Sequence, residues 1–204
     1  VLYDANMGGG GFAAGFSFAI TDNFVFDAGY SASEGAGVAG TAFSNNPNTG
    51  GFFGSSSQSY IAQLSYLSDG VFDGALAYGN GMTNGNTETD TYGGLVSFDF
   101  GGFIIGGYYA QHDVTGAGAG TGSDDTWQAG IAFPDLFIEG SQLGIYYADL
   151  FNTAAGVDPY MVEGYYSIPV NEFFTLTPAL IYGDLGTGGN DDNFYGAIRA
   201  TFSF

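Results

Sequence analysis

Apolar side chains fall on alternate positions through most of this 204-residue chain. Between 12 and 20 they occupy Phe12, Ala14, Phe16, Phe18 and Ile20, with Ala13, Gly15, Ser17 and Ala19 between them. After Thr21, Asp22 and Asn23 the alternation resumes, with Phe24, Phe26, Ala28 and Tyr30 on one face and Val25, Asp27, Gly29 and Ser31 on the other. Tyr60, Ala62, Leu64 and Tyr66 repeat it, then Phe72, Leu76 and Tyr78, then Tyr92, Val96, Phe98 and Phe100. Phe103, Ile105 and Tyr109 follow, and after them Trp127, Ala129, Ile131 and Phe133, and Leu143, Ile145 and Tyr147. The last segments carry Tyr160, Val162, Tyr166 and Ile168, then Phe174, Leu176, Leu180 and Tyr182, then Phe194, Ile198, Phe202 and Phe204. A period of two puts neighbouring side chains on opposite faces of a strand, and no apolar stripe of the helical period, about 3.6, competes with it. The pattern predicts an all-β chain of about eleven strands, roughly ten residues each.

The connections alternate in length. Compact turns are expected at TDN, SDG, FGG, PDLFIEG and PVNE, and longer loops rich in Gly, Asn, Thr and Asp at 32–57, 80–90, 113–124, 151–158 and 183–192. Short turns alternating with long loops, and strands long enough to cross an apolar layer of about 25 Å, predict a transmembrane antiparallel β-barrel with its short turns on the periplasmic side. Aromatic residues near strand ends, such as Tyr30, Tyr66, Tyr78, Tyr92 and Phe100, suit the headgroup level of a bilayer. A soluble β-sandwich also alternates. Three features favour the barrel: the apolar face is continuous and aromatic, the opposite face is too small to fill a core, and lysine, the usual guard of exposed strand edges, is missing.

Charge narrows the partners. One Lys or Arg stands against 21 Asp and Glu, a formal net charge of -20. Phosphate contacts need cations, so nucleic acid is excluded as a partner. The acidity does not signal disorder, because 18% of the residues are aromatic, 20 Phe and 15 Tyr among them. The 37 glycines show no period of three. There is no cysteine, so disulfides, thiolate nucleophiles and Cys-ligated metals are absent. The apolar stretch GGFIIGGYYA (101–110) has about half of the roughly 20 residues a membrane-spanning helix needs. VLYDANM at the start lacks the basic and apolar regions of a signal peptide.

Catalytic constellations are poor. His112 is the one imidazole, no nucleophile elbow accompanies it, and no enzyme activity or cofactor is expected. Asp124-Asp125 and Asp191-Asp192 read as solvated loop acids. Asn84, Asn86, Glu88 and Asp90 alternate oxygen ligands in NGNTETD and are weak candidates for Ca²⁺ or Mg²⁺, without the spacing of an EF-hand. Parity puts Asp27, Asp73, Asp99, His112, Glu163 and Arg199 on the small face with Gln63, Ser65, Ser97 and Gln128. As pore-lining residues, such acids would favour cations through their field.

The runs TWQAGIAFPDLFIEGSQLGIYY (126–147), YMVEGYYSIPVNEFFTLTPALIY (160–182) and NFYGAIRATFSF (193–204), with GGFFGSSSQSYIAQLSYLSDGVFDGALAYGNG (50–81), resemble cyanobacterial outer-membrane porins of the carbohydrate-selective, OprB-type family, often labelled iron-uptake porins. The resemblance implies that 1–204 is the C-terminal portion of one barrel of about 16 to 18 strands. It also implies a homotrimer in the cell outer membrane, surrounded by lipid, with a signal peptide, an SLH domain gripping peptidoglycan or cell-wall polymer, and a coiled-coil linker outside this sequence. Strand parity likewise expects at least one further strand before residue 1. Phe202 and the final Phe204 match the C-terminal signal that such proteins present to the barrel-assembly machinery, and parity turns Arg199 away from the greasy face. The expected function is a water-filled channel for passive diffusion of small hydrophilic solutes and inorganic ions, preferring cations. The alternative is a structural or adhesive barrel that anchors the envelope or presents loops to partners. Sugar selectivity would want basic residues, which this stretch scarcely supplies.

Overall fold

The computed structural model describes residues 11–33, 58–83, 87–116, 122–152, 158–184 and 192–203. They form eleven strands: β1 (Gly11–Ala19), β2 (Phe24–Ser33), β3 (Gln58–Tyr66), β4 (Phe72–Thr83), β5 (Thr87–Asp99), β6 (Ile104–Gly116), β7 (Gly122–Pro134), β8 (Gln142–Asp149), β9 (Tyr160–Asn171), β10 (Phe174–Asp184) and β11 (Asn193–Phe202). All eleven belong to one antiparallel sheet whose spatial order is the chain order. Among the described residues there is no helix, and so none long and apolar enough to cross a membrane.

By contacts the chain divides into two compact units, Val1–Leu67 with Ala75–Gly94 and Ala110–Asp124, and Ser68–Gly74 with Leu95–Tyr109 and Asp125–Phe204. In the first, register sorts side chains by size. Phe24 lies opposite Tyr66, Phe26 opposite Leu64 and Tyr30 opposite Tyr60, with the Phe24–Tyr66 rings 5.1 Å and the Tyr30–Tyr60 rings 4.9 Å apart. The other face of the same strands aligns Ser17, Asp27 and Gln63 in one row and Gly15, Gly29 and Ile61 in the next. Farther along, Tyr78 and Tyr92 pair at 5.2 Å.

In the second unit, Phe174 opposite Phe202 and Tyr182 opposite Phe194 bracket Pro178 opposite Ile198 on the aromatic face of β10 and β11. Thr177 opposite Arg199 and Ile181 opposite Tyr195 share the other face. The turn after β7 is tightly specified. Asp135 and Phe137 adopt φ of 57° and 70°, unusual for side-chain-bearing residues, and Gly140 takes φ 77°. Gly140 N–H donates to Asp135 Oδ1 at 2.6 Å, Ser141 Oγ to the Leu136 carbonyl at 2.7 Å, and Tyr166 Oη to that carbonyl at 2.7 Å.

Burial is inverted relative to a water-soluble sheet. Leu76 and Leu180 are 70% exposed and Ile198 77%, whereas the buried side chains among the described residues are small, Ala77, Ala110, Val114, Ala148, Ser31, Ser65, Thr126 and Ser141 among them. Many of the large apolar side chains are exposed.

Four expected loops are corrected. Residues 80–83 and 87–90 are strand, as are 113–116 and 122–124, and so are 32–33 and 183–184 at the starts of theirs. Pairing continues at 80–83 and 87–90 because side chains bond across the strands: Tyr78 Oη donates to Asp90 Oδ1 at 2.7 Å, and Asn80 Nδ2 to Glu88 Oε1 at 2.7 Å and to Asp90 Oδ1 at 2.9 Å. Tyr109 and Asp125 also interact across β6 and β7. Asp124 and Asp125 therefore lie on β7 and Glu88 and Asp90 on β5, all outside loops. Asn84, Asn86 and Asp191 lie outside the described residues.

Candidate functional site

The small face of β8 to β11 gathers polar groups. Glu163 on β9 sits opposite Tyr146 of β8 and Ile181 of β10. Tyr146 Oη donates to Glu163 Oε2 at 2.6 Å, the short distance of a bond to a charged acceptor. Tyr165 sits opposite Gly144, and its hydroxyl donates to Gln142 Oε1 at 3.1 Å. Thr177, opposite Arg199, donates to Ser167 Oγ at 3.2 Å. Arg199 is exposed. Carboxylate, guanidinium, phenol and amide thus share one face, an arrangement able to exchange hydrogen bonds with water and polar solutes.

Sequence reasoning singled out Glu163 and Arg199 but missed Tyr146, Tyr165 and the glycines beneath them. The signal was present in the doublets Tyr146-Tyr147 and Tyr165-Tyr166, because adjacent strand residues must face opposite ways. Glycine makes room for the inward ring. A Cβ at Gly144 would clash with the phenol edge of Tyr165, and one at Gly130 would lie 2.6 Å from Tyr146 Cβ and 2.9 Å from the Ile145 carbonyl. Gly144→Leu is expected to destabilise the fold by roughly 1–3 kcal/mol through overpacking. Gly164→Leu, with nothing within 4 Å of its Cβ position, is expected to be tolerated. Urea unfolding midpoints of the two variants check this contrast.

The other singled-out residues are dispersed. Asp27 stands on β2 between Ser17 and Gln63. Asp73 accepts from Ser68 N–H at 2.8 Å and Asp99 from Gly101 N–H at 2.7 Å, so both brace turns. His112 Nδ1 and Thr91 Oγ1 are 2.9 Å apart across β5 and β6. Phe202 faces away from the small side and stacks on Phe174, with centroids 4.9 Å apart. Phe204 lies outside the described residues. Glu88 and Asp90 share the Asn80 amide as donor, and among the described residues no three carboxylate or imidazole groups converge as metal ligands.

No protein-family model matches the chain. A relative from Nostoc sp., described as uncharacterized protein alr4550, is 32% identical over 160 residues, which make up 70% of this chain. The chain spans about 27% of that relative's length. No solved structure matches it.

Proposed function

We propose that this chain is part of an outer-membrane β-barrel porin, a water-filled channel for small hydrophilic solutes and inorganic ions with a preference for cations. One observation carries the reading: the exposed face is apolar and aromatic while the buried residues are small. Such a face is unfavourable in water at about 25 cal/mol per Å² of apolar surface, and lipid removes that cost. Aromatic rows support the same reading. Phe24 and Tyr30, Tyr60 and Tyr66, Phe72 and Tyr78, and Tyr92 and Phe98 are each six positions apart on their strands. Six residues span about 20 Å along a strand, on the order of a bilayer's apolar thickness. The resemblance to carbohydrate-selective porins, and the trimer it implies, belongs to this proposal.

Cation preference follows from the net charge of -20 and the acids Asp27 and Glu163 on the small face. The full-length protein reconstituted in planar bilayers is expected to give large stepwise conductance and a reversal potential favouring potassium over chloride. Absence of steps, or preference for chloride, would contradict the proposal.

A further inference from the structure

Strands β1 to β3 line a recess of about 590 Å³ within the first unit, with Gly15, Ser17, Asp27, Gly29, Ile61 and Gln63 of the small face among its lining residues. Its floor is Gly15 and Gly29, in register with each other and with Ile61. The floor cannot readily be filled from position 15, where a Cβ would lie 2.9 Å from the Ala28 carbonyl oxygen. One row away, Ser17, Asp27 and Gln63 stand side by side on the three strands, and directly opposed residues have Cβ atoms about 5 Å apart. Gln63 Nε2 donates to Ser65 Oγ at 2.9 Å, which fixes the amide and leaves Oε1 as an acceptor. Among the described residues, nothing donates to the Asp27 carboxylate. The chain has no lysine with which to fill it, since its single Lys or Arg is Arg199 on β11.

We propose that this recess binds the primary ammonium group of small organic amines. The proposal rests on the porin reading, which makes this face a wall open to dissolved solutes. An ammonium carries three N–H donors, and the row offers three oxygens of different kinds: the Asp27 carboxylate, the Gln63 amide carbonyl and the Ser17 hydroxyl. The short carbon chain of the amine would rest on the glycine floor against Ile61. A divalent metal suits the row poorly, because Ca²⁺ takes about 6–8 oxygen ligands and one carboxylate with two neutral oxygens falls short. Anions are disfavoured by the carboxylate itself.

The test follows the Ile61 methyl resonance in the full chain, labelled and held in detergent micelles, during titration with ethylammonium, tetramethylammonium and sodium chlorides. Ethylammonium is expected to give a saturable shift. Tetramethylammonium, equal in charge but without N–H donors, and sodium are expected to give none at equal ionic strength. Asp27→Asn keeps the shape of the side chain and should weaken ethylammonium binding roughly tenfold, the scale of one lost hydrogen bond to a charged group. Asp69→Asn, the same charge change in an exposed turn, should leave binding unaltered. Identical responses to ethylammonium and tetramethylammonium, or wild-type titration by Asp27→Asn, would overturn the proposal. The readout does not depend on conduction: a conducting protein without the titration loses only this inference, and a titrating protein without conductance loses the porin reading.

Discussion

Ile198→Arg is expected to cost about 2–4 kcal/mol of folding free energy in a lipid bilayer, although it alters one of the most exposed side chains of the molecule. Ile198 is 77% exposed and lies midway between the aromatic rings of Phe194 and Phe202 on β11. On a surface facing water, a substitution at such a position would change stability by no more than about 0.5 kcal/mol. On a surface facing hydrocarbon, the guanidinium loses its hydration at the depth where little replaces it. The neighbouring residue supplies an internal control. Arg199 is already an arginine one position along the strand, but it faces Thr177 on the small side. Exchanging the two, as Ile198→Arg with Arg199→Ile, keeps composition and charge and should destabilise like the single change. Equilibrium unfolding from phospholipid vesicles measures both, and a loss below about 0.5 kcal/mol would place this face in water.

Glu163→Gln is expected to lower the ratio of potassium to chloride permeability several-fold. Parity and register put Glu163 and Arg199 on the small face of β8 to β11, whereas Asp149, Asp184 and Asp192 share the parity of Tyr147 and Tyr182 on the opposite one. Removing the carboxylate leaves the guanidinium as the fixed charge of that stretch, and a positive wall repels cations. Arg199→Ala should act oppositely and raise the ratio. Glutamine retains an acceptor for the Tyr146 hydroxyl, so the local geometry survives and the change reads charge rather than collapse. Reversal potentials under a potassium chloride gradient check both directions, and a ratio that moves with neither variant would remove these residues from the conduction path.

Alternation alone is sufficient to find all eleven strands and both faces of each, because period two leaves no freedom once one aromatic residue is placed. Ile198 and Arg199 are assigned to opposite faces from the sequence and again by register. Less legible was which strand residues touch across the sheet. Register depends on turns such as 135–141, where φ values of 57° and 70° at Asp135 and Phe137 are not apparent from residue identity. Without register, Gly144 cannot be matched to Tyr165 or Gly130 to Tyr146, and the polar cluster around Glu163 stays hidden. Strand ends were hidden for a different reason. Asn80, Glu88 and Asp90 have the composition of a loop, yet their side chains bond to one another and prolong the ladder. Asp73 and Asp99 share the parity of Asp27, but their positions at strand ends let them accept turn N–H groups, a use that parity does not reveal.

The most direct test of a lipid-facing aromatic surface is a spin-label scan along β10. The chain has no cysteine, so single cysteines from Phe174 to Tyr182 can be labelled without background. In vesicles, collision with oxygen, which partitions into lipid, should peak at Leu176, Pro178 and Leu180. Collision with a water-soluble nickel chelate should peak at Thr177, Ala179 and Ile181. Oxygen accessibility without this two-residue period, or nickel accessibility at Leu180 equal to that at Ala179, would contradict the account.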